Sequence, residues 1–402
     1  MIEVKEYKET KIRTKIDGKK FSLQFLPEKL DSESAVTTFE YSNKKLKSAY
    51  LIDIVHNLIL KYYFRKDNHF RMSSLVLRDK YGFLYNYYME YLKEKGIIEM
   101  ISNYLVGKNV RIYKLSESII DGKITRFKNE DKVLLKKYKE AVSLLDDGDV
   151  LTNTILPEVK KKLVSDLFSV KIHGEKAIFF LDSTVQTADI YNKNVYSVQC
   201  ISDGQIFYHF DNYGRMHTNF TILKSFIRKN CLSIDGDETY ELDIKNSQPL
   251  FLNKIIESDG AEIVDQTEWE LFKYLTKSGL FYQYIMDNSG IKDKEKIKKI
   301  IYKVLFGKNY SNSSDKMFSK LFPTIHNFIK FYKKKHSNYK ILSHKLQNLE
   351  SNLIFNKIIL EIMETNPEIK IVTVHDSIVF SKKWKNIVEE IFYKNLEKEF
   401  NI

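Results

Sequence analysis

Two hydrophobic periods alternate along this 402-residue chain, and the switches between them mark its elements. Over 46–64 apolar residues recur near helical spacing. A short helix and turn follow at 73–82, and a further helix over 84–95 is stopped by Gly96. The runs 97–101 and 111–115 read as strands around a turn at 106–109. Next come helices over 129–145 and 156–168. Residues 240–243 alternate as a strand, after which Asn246 and Ser247 are expected to cap a helix with Pro249 in its first turn. The stretch 263–340 reads as helical and rich in lysine, and 345–363 as one more helix. Apolar runs on either side of His375 and Asp376 predict a β-hairpin over 371–380 with that pair at its turn.

This pattern divides the chain. Helix, helix and basic hairpin within 1–125 resemble a winged helix, a fold that contacts either DNA or a partner protein. Residues 126–200 are expected to be helical, 201–262 to hold the first part of a sheet, and 263–340 to form a helical insertion. The segment 341–402 returns to the sheet.

Composition adds an anionic partner. The net charge is +12, with 43% hydrophobic residues for a sizeable core. An AT-rich genome also yields many lysines, so the total decides little. Their placement decides more: 291–345 holds 15 lysines against Asp293, Glu295 and Asp315, which is a basic surface. Cys200 and Cys231 stand in no metal-binding pattern, so a reducing, cytoplasmic setting without zinc is expected. No run reaches the roughly 18 apolar residues that span a membrane, and 1–20 lacks the apolar centre of a signal peptide.

Chemistry concentrates in four segments. Asp243 and Asp376 each end a short apolar β-type run. Carboxylates on neighbouring strand ends can hold two divalent cations on a shared edge, with the Ile244 carbonyl as a further ligand. Lys294 and Lys298 stand four apart on one helix face, placed to hold a triphosphate. Phe306, two turns on, offers a ring for stacking, and Gly307 permits close approach. Gly214-Arg215 precedes Asp243, and arginine presents a planar fork that phosphate accepts bidentately.

In this order, the segments resemble the palm and fingers of the family A polymerases. That group includes bacterial and phage DNA polymerases and the single-subunit RNA polymerases of phage and mitochondria. The spacing Lys294-x₃-Lys298-x₇-Phe306-Gly307 matches the family pattern without a gap, with Phe where Tyr is more usual. The resemblance covers 205–402. It implies an α+β right-hand fold: an N-terminal winged-helix-like module, a thumb over 126–200, a palm over 201–262 and 341–402, and fingers over 263–340.

The resemblance also implies roles. Asp243, Ile244 and Asp376 would hold two Mg²⁺, with Mn²⁺ as a substitute, and His375 would sit near the primer terminus. Lys294, Lys298, Phe306 and Gly307 would bind the nucleoside triphosphate. Arg215 and Glu350 would face the nucleic acid. Gln248 stands where the DNA polymerases carry a glutamate against the 2′-hydroxyl and the RNA polymerases a small residue.

The substrate markers conflict. Gln248 and Phe306 lean to deoxynucleotides, whereas Ser377 follows the RNA polymerases. The expectation is a compact DNA-directed DNA polymerase without proofreading, from a phage, plasmid or mobile element. It would act on a DNA primer-template, with a replication partner for the N-terminal module. The alternatives are an RNA polymerase or primase of the same fold, a replication protein with an inactive palm, and untemplated addition to a 3′ end.

Overall fold

The computed structural model describes residues 23–65, 68–102, 111–122, 124–136, 155–184, 186–204, 206, 208–211, 214–309 and 313–401. The expected turn at 106–109 and the stretch 137–145 of the expected helix lie outside them.

The N-terminal part is built on one apolar core. Strand β1 (Leu23–Pro27) and the hairpin of β2 (Thr38–Tyr41) and β3 (Lys44–Lys47) precede helix α1 (Ser48–Arg65). Then follow β4 (Phe70–Met72), α2 (Ser74–Tyr81), α3 (Tyr85–Glu94), β5 (Ile98–Ser102) and β6 (Arg111–Leu115). The last two helices and the β5–β6 pairing fall where the hydrophobic pattern puts them. The strand β4 is additional, and the sheet order is β4-β6-β5. Gly82 and Gly96 both take positive φ, 80° and 63°, where the chain leaves α2 and α3.

This core does not close at residue 125. Strand β7 (Ile124–Lys128) pairs antiparallel with β1, and Leu134 is buried in the same cluster. A buried polar network adds a second tie. Asp53 of α1 accepts from Gln24 Nε2 (2.6 Å) and Tyr81 OH (2.7 Å), and pairs with Lys80 (2.8 Å). A fully buried carboxylate is tolerable only with such partners.

The second core takes in the remaining elements. The first are α4 (Pro157–Leu167), β8 (Val170–Ile172), α5 (Gly174–Asp182) and α6 (Ala188–Ser202). The hairpin β9 (Tyr208–Phe210) and β10 (Met216–Thr218) is followed by α7 (Ser225–Cys231), β11 (Leu232–Ile234) and β12 (Asp237–Asp243). Five helices then run in succession: α8 (Ser247–Asp259), α9 (Gln266–Lys277), α10 (Phe281–Ser289), α11 (Lys294–Phe306) and α12 (Ser313–Leu321). After α13 (Pro323–Lys335), the helix α14 (Ile341–Leu353) continues through a π-turn (Ile354–Ile359) into α15 (Leu360–Thr365). The hairpin β13 (Ile371–Val374) and β14 (Ser377–Ser381) and helix α16 (Lys385–Phe400) complete the chain.

The central sheet is antiparallel throughout, in the order β13-β14-β12-β11-β8. Residues 126–200 are therefore not a separate helical unit. Their strand β8 forms an edge of the central sheet, and α4 to α6 share its core. The two cores meet where Tyr196 of α6 stacks on Phe25 at 4.1 Å and Arg126 pairs with Asp203 at 3.0 Å. The architecture is α+β, and no helix among the described residues is long and apolar enough to cross a membrane.

Candidate active site

Strand pairing sets the position of the two aspartates. Asp243 ends β12 directly opposite Ser377, the first residue of β14, and Asp376 immediately precedes Ser377 in the hairpin turn. The turn is tight: Val374 pairs with Ser377, leaving only His375 and Asp376 between them. His375 adopts φ 57°, a left-handed conformation uncommon for a residue with a Cβ, and such strain collects at functional positions.

Asp243 and His375 remain open to solvent, and Asp376 is half-buried. Loss of hydration by surrounding protein is nevertheless the first cause of all three pKa shifts, so neighbouring protein crowds these residues without covering them. Asp376 is pushed up to about 8 by desolvation, then by the charges of Glu350 and Asp243. Asp243 rises to about 6 through desolvation, Glu241 and Glu350, against the opposing charge of Lys298 and a hydrogen bond from the Ile244 backbone. His375 falls to about 4 through desolvation and the nearby Arg215, His217 and Arg228, so it stands neutral at pH 7.

Around these residues the other carboxylates have cationic and hydrogen-bonding partners. Glu241 lies two residues before Asp243 on the same strand and pairs with Arg228 at 3.0 Å. It also accepts from Ser377 Oγ at 3.0 Å. Glu350 of α14 accepts from Arg215 Nε at 3.0 Å, from Ser247 Oγ at 2.5 Å and from the Gln248 carboxamide. Arg215 is delivered by the β9–β10 hairpin, whose turn is closed by Asp211 Oδ1 on the Arg215 N–H (2.9 Å). The other Asp211 oxygen binds His217 at 2.9 Å, and the His217 ring lies edge-on to His375 at 6.2 Å.

Helix α11 forms another wall. Asp293 caps it, accepting from the backbone of Glu295 (2.9 Å) and Lys296 (3.2 Å), which fixes Lys294 and Lys298 in its first turns. Its buried stripe is Ile297, Ile301, Val304 and Leu305. Lys298 is near enough to Asp243 to hold down its pKa, and pairs with Glu295 at 3.0 Å. Lys294 is exposed at the helix start. One turn beyond Lys298, Tyr302 stacks on Phe306 with centroids 5.4 Å apart and planes within 7°. Loss of hydration, then the charges of Asp376 and Glu350, raise the Tyr302 hydroxyl pKa.

Two expected details differ. Asn246 occupies the cap of α8 in a left-handed conformation (φ 54°), but neither it nor Ser247 caps with its side chain. Asn246 Nδ2 donates to the Thr276 carbonyl at 3.4 Å, and Ser247 is taken by Glu350. Gly307 is demanded by the helix exit itself, since a Cβ there would lie 2.4 Å from the Lys303 carbonyl oxygen.

The structure thus gathers Asp243, Asp376, His375, Arg215, Glu350, Gln248 and Lys298. Lys294 and Phe306 extend the same helix face, and the Ile244 side chain is buried beside Asp243. Glu350 is likewise buried, with its oxygens committed to protein partners rather than presented to a strand. Sequence reading missed Tyr302, Glu241 and His217. Tyr302 continues the every-fourth-residue series 294, 298, 302, 306, and Glu241 shares a strand face with Asp243, so both carried a usable signal.

Asp243 and Asp376 make no ion pair among the described residues. Their oxygen donors, pushed together as like charges, suit a hard divalent cation. Among the described residues no group of three or more His, Cys, Asp or Glu side chains is arranged to hold a metal. Two carboxylates agree with a magnesium site whose remaining ligands are water and substrate phosphates. No protein-family model matches the chain, and no curated protein matches it.

Proposed function

We propose that the chain is a template-directed nucleotidyltransferase of the right-hand type, a compact DNA-directed DNA polymerase without proofreading. The observation that carries this reading is the meeting of Asp243 and Asp376 at paired strand ends beside Lys298 of α11. Mg²⁺ held by Asp243, Asp376 and the Ile244 carbonyl would activate a primer 3′-hydroxyl and neutralise the triphosphate. Lys298 and Lys294 bind the triphosphate and offset charge on the departing pyrophosphate. The Tyr302–Phe306 pair offers a π-face to the incoming base. His375, neutral, contributes hydrogen bonding rather than charge near the primer end. The N-terminal module serves as a winged helix that contacts DNA or a replication partner.

A second reading, an RNA polymerase or primase, rests on Ser377, since Gln248 keeps a glutamate's bulk and lacks only its charge. Ser377 lends it less weight than its sequence position did, because its hydroxyl is engaged by Glu241 and the Val374 carbonyl.

The test is extension of a labelled primer on a DNA template with Mg²⁺, with dNTPs and NTPs in parallel, a template-only lane and an Asp376→Asn control. Copying with dNTPs that the substitution abolishes is the expected result. Products from NTPs alone, or without primer, would establish the second reading. Absence of product in every lane, with nucleic acid still bound, would overturn both.

A further inference from the structure

Helix α2 buries Leu77 and Tyr81 and turns its other side to solvent. That side carries Leu75 and Val76, 66% and 65% exposed, and Phe83 just past the helix is 83% exposed. None of the three joins the N-terminal core, although all are large and apolar. They are not scattered. Leu75 and Arg78 are three apart on the helix, and the Arg78 guanidinium lies over the Phe83 ring at 5.7 Å. Gly82, with φ 80°, turns the chain between the helix and that ring.

Leu75 also borders an open groove of about 500 Å³. Met72, Leu77, Tyr85 and Tyr113 supply its other apolar lining, and Arg111 its charge. Met72 and Arg111 are paired across β4 and β6, so they share one face of that sheet. The volume admits a large apolar side chain. Arg111 donates to the neutral Asn86 Oδ1 at 3.2 Å. Among the described residues neither Arg78 nor Arg111 pairs with a carboxylate, whereas Lys80, Lys95 and Lys114 of the same module pair with Asp53, Glu33 and Glu99.

A partner for this face therefore needs anionic groups for the arginines and apolar groups for Leu75, Val76, Phe83 and the groove. Nucleic acid offers the first without the second. Helix α3, which this order of elements would set in a DNA groove, exposes Glu90 and Glu94. Asp79 stands one turn beyond Val76 on α2. All three acids repel phosphate.

We propose that the exposed face of α2, with Phe83 and the adjoining groove, is a docking site for an acidic segment of another protein that bears large apolar side chains. One apolar side chain enters the groove beside Leu75, and others cover Val76 and Phe83. Carboxylates pair with Arg78 and Arg111, whose planar forks take them bidentately. An aromatic ring and arginines on a contiguous apolar patch are the composition that concentrates binding energy in protein interfaces. The site narrows the contact of the N-terminal module to protein, and it stands whether or not the chain adds nucleotides.

The test is selection of random peptides displayed on phage against the immobilised full chain, followed by anisotropy titration of the labelled peptides recovered. These are expected to combine Asp or Glu with Leu, Phe or Trp. Phe83→Ser and Arg78→Ala should each weaken them by about tenfold or more. Neither substitution touches the core, so the melting midpoint of both variants should stay at the parent value. Recovery of no acidic, apolar peptide, or of peptides that both variants bind as tightly as the parent, would overturn the proposal. Duplex DNA that displaces the peptides and itself loses affinity in Arg78→Ala would assign the face to nucleic acid and overturn it as well. No arm reads nucleotide addition, so failure of primer extension and failure of this site are separate results.

Discussion

Lys333 reaches from α13 into the end of α11, donating to the carbonyls of Val304 at 2.6 Å and Gly307 at 2.8 Å. It is 3% exposed. The last carbonyls of a helix have no intrahelical partner, and a cation there also complements the helix dipole. Lys333 thus fixes the C-terminus of the helix that carries Lys298, Tyr302 and Phe306. Lys333→Met should cost about 1–3 kcal/mol in urea unfolding at pH 7, from two buried carbonyls left unmet.

The deficit should also depend on pH. Burial first, then Lys330 against the opposing Asp315, brings the Lys333 ammonium down to about 8 from 10.5. The folded state therefore binds this proton less tightly than the unfolded one. Its penalty is present below the folded value and is relieved as pH rises from about 8 toward 10.5. Parent stability should gain relative to Lys333→Met across that window. A deficit that stays flat or shrinks would mean that the amine is not buried as described.

Lys298 and Asp243 make a second test. Lys298→Ala removes the positive charge that opposes the upward shift of Asp243 and, on the proposed function, a donor to the triphosphate. The expected outcome is a loss of about 10²–10³ in kcat/KM for nucleotide. The acid limb of the pH profile should also move upward. Lys294→Ala, at the exposed helix start, should raise KM more than it lowers kcat. Equal effects at both positions would indicate that the two lysines act as one diffuse charge.

The parts of this site that were legible in sequence are those whose signals are local. Asp243 closes an alternating strand, His375 and Asp376 interrupt two apolar runs, and Asp293 caps the helix of Lys294 and Lys298. Strands β4 and β8 were not legible because three residues cannot display an alternation. Their pairing partners, β6 and β11, lie well downstream, and only tertiary packing selects them. The Glu350 cluster was hidden for the same reason, since it joins residues 215, 247, 248 and 350. Asn246 and Ser247 satisfied the local rule for a helix cap, but tertiary partners took both side chains.

Nucleic-acid binding should depend on the basic face of α13. Phe331 is 46% exposed there, with Lys334 and Lys335 exposed one turn on and Lys330 beside it. Lysines around an exposed ring suit a phosphate backbone with an unpaired base. Replacing Lys334 and Lys335 by alanine should weaken primer-template binding at all sequences alike. The slope of log K against log salt should fall by about one for each phosphate that a lysine no longer neutralises. Fluorescence anisotropy across a salt series reads both quantities. An unchanged slope would place the nucleic acid elsewhere.

Divalent cation and proton should compete for the aspartate pair. Desolvation first, then neighbouring carboxylates (Glu241 and Glu350 for Asp243, Glu350 and Asp243 for Asp376), raise both carboxyls, Asp376 the further. The folded state therefore holds these protons more tightly than the unfolded chain. That contribution to stability is fully present below pH 3.8 and is lost as pH rises through about 6 and about 8. Without metal, Asp376→Asn should be more stable than the parent at pH 8 and lose most of that advantage by pH 5. Added Mg²⁺ should stabilise the parent increasingly between pH 6 and 8, as binding displaces the protons. It should do far less for Asp376→Asn, whose extension rate should fall by about 10³-fold or more. Melting curves with and without Mg²⁺ at pH 5, 6.5 and 8 separate these effects. Equal metal stabilisation of parent and variant at pH 8 would remove Asp376 from the metal site.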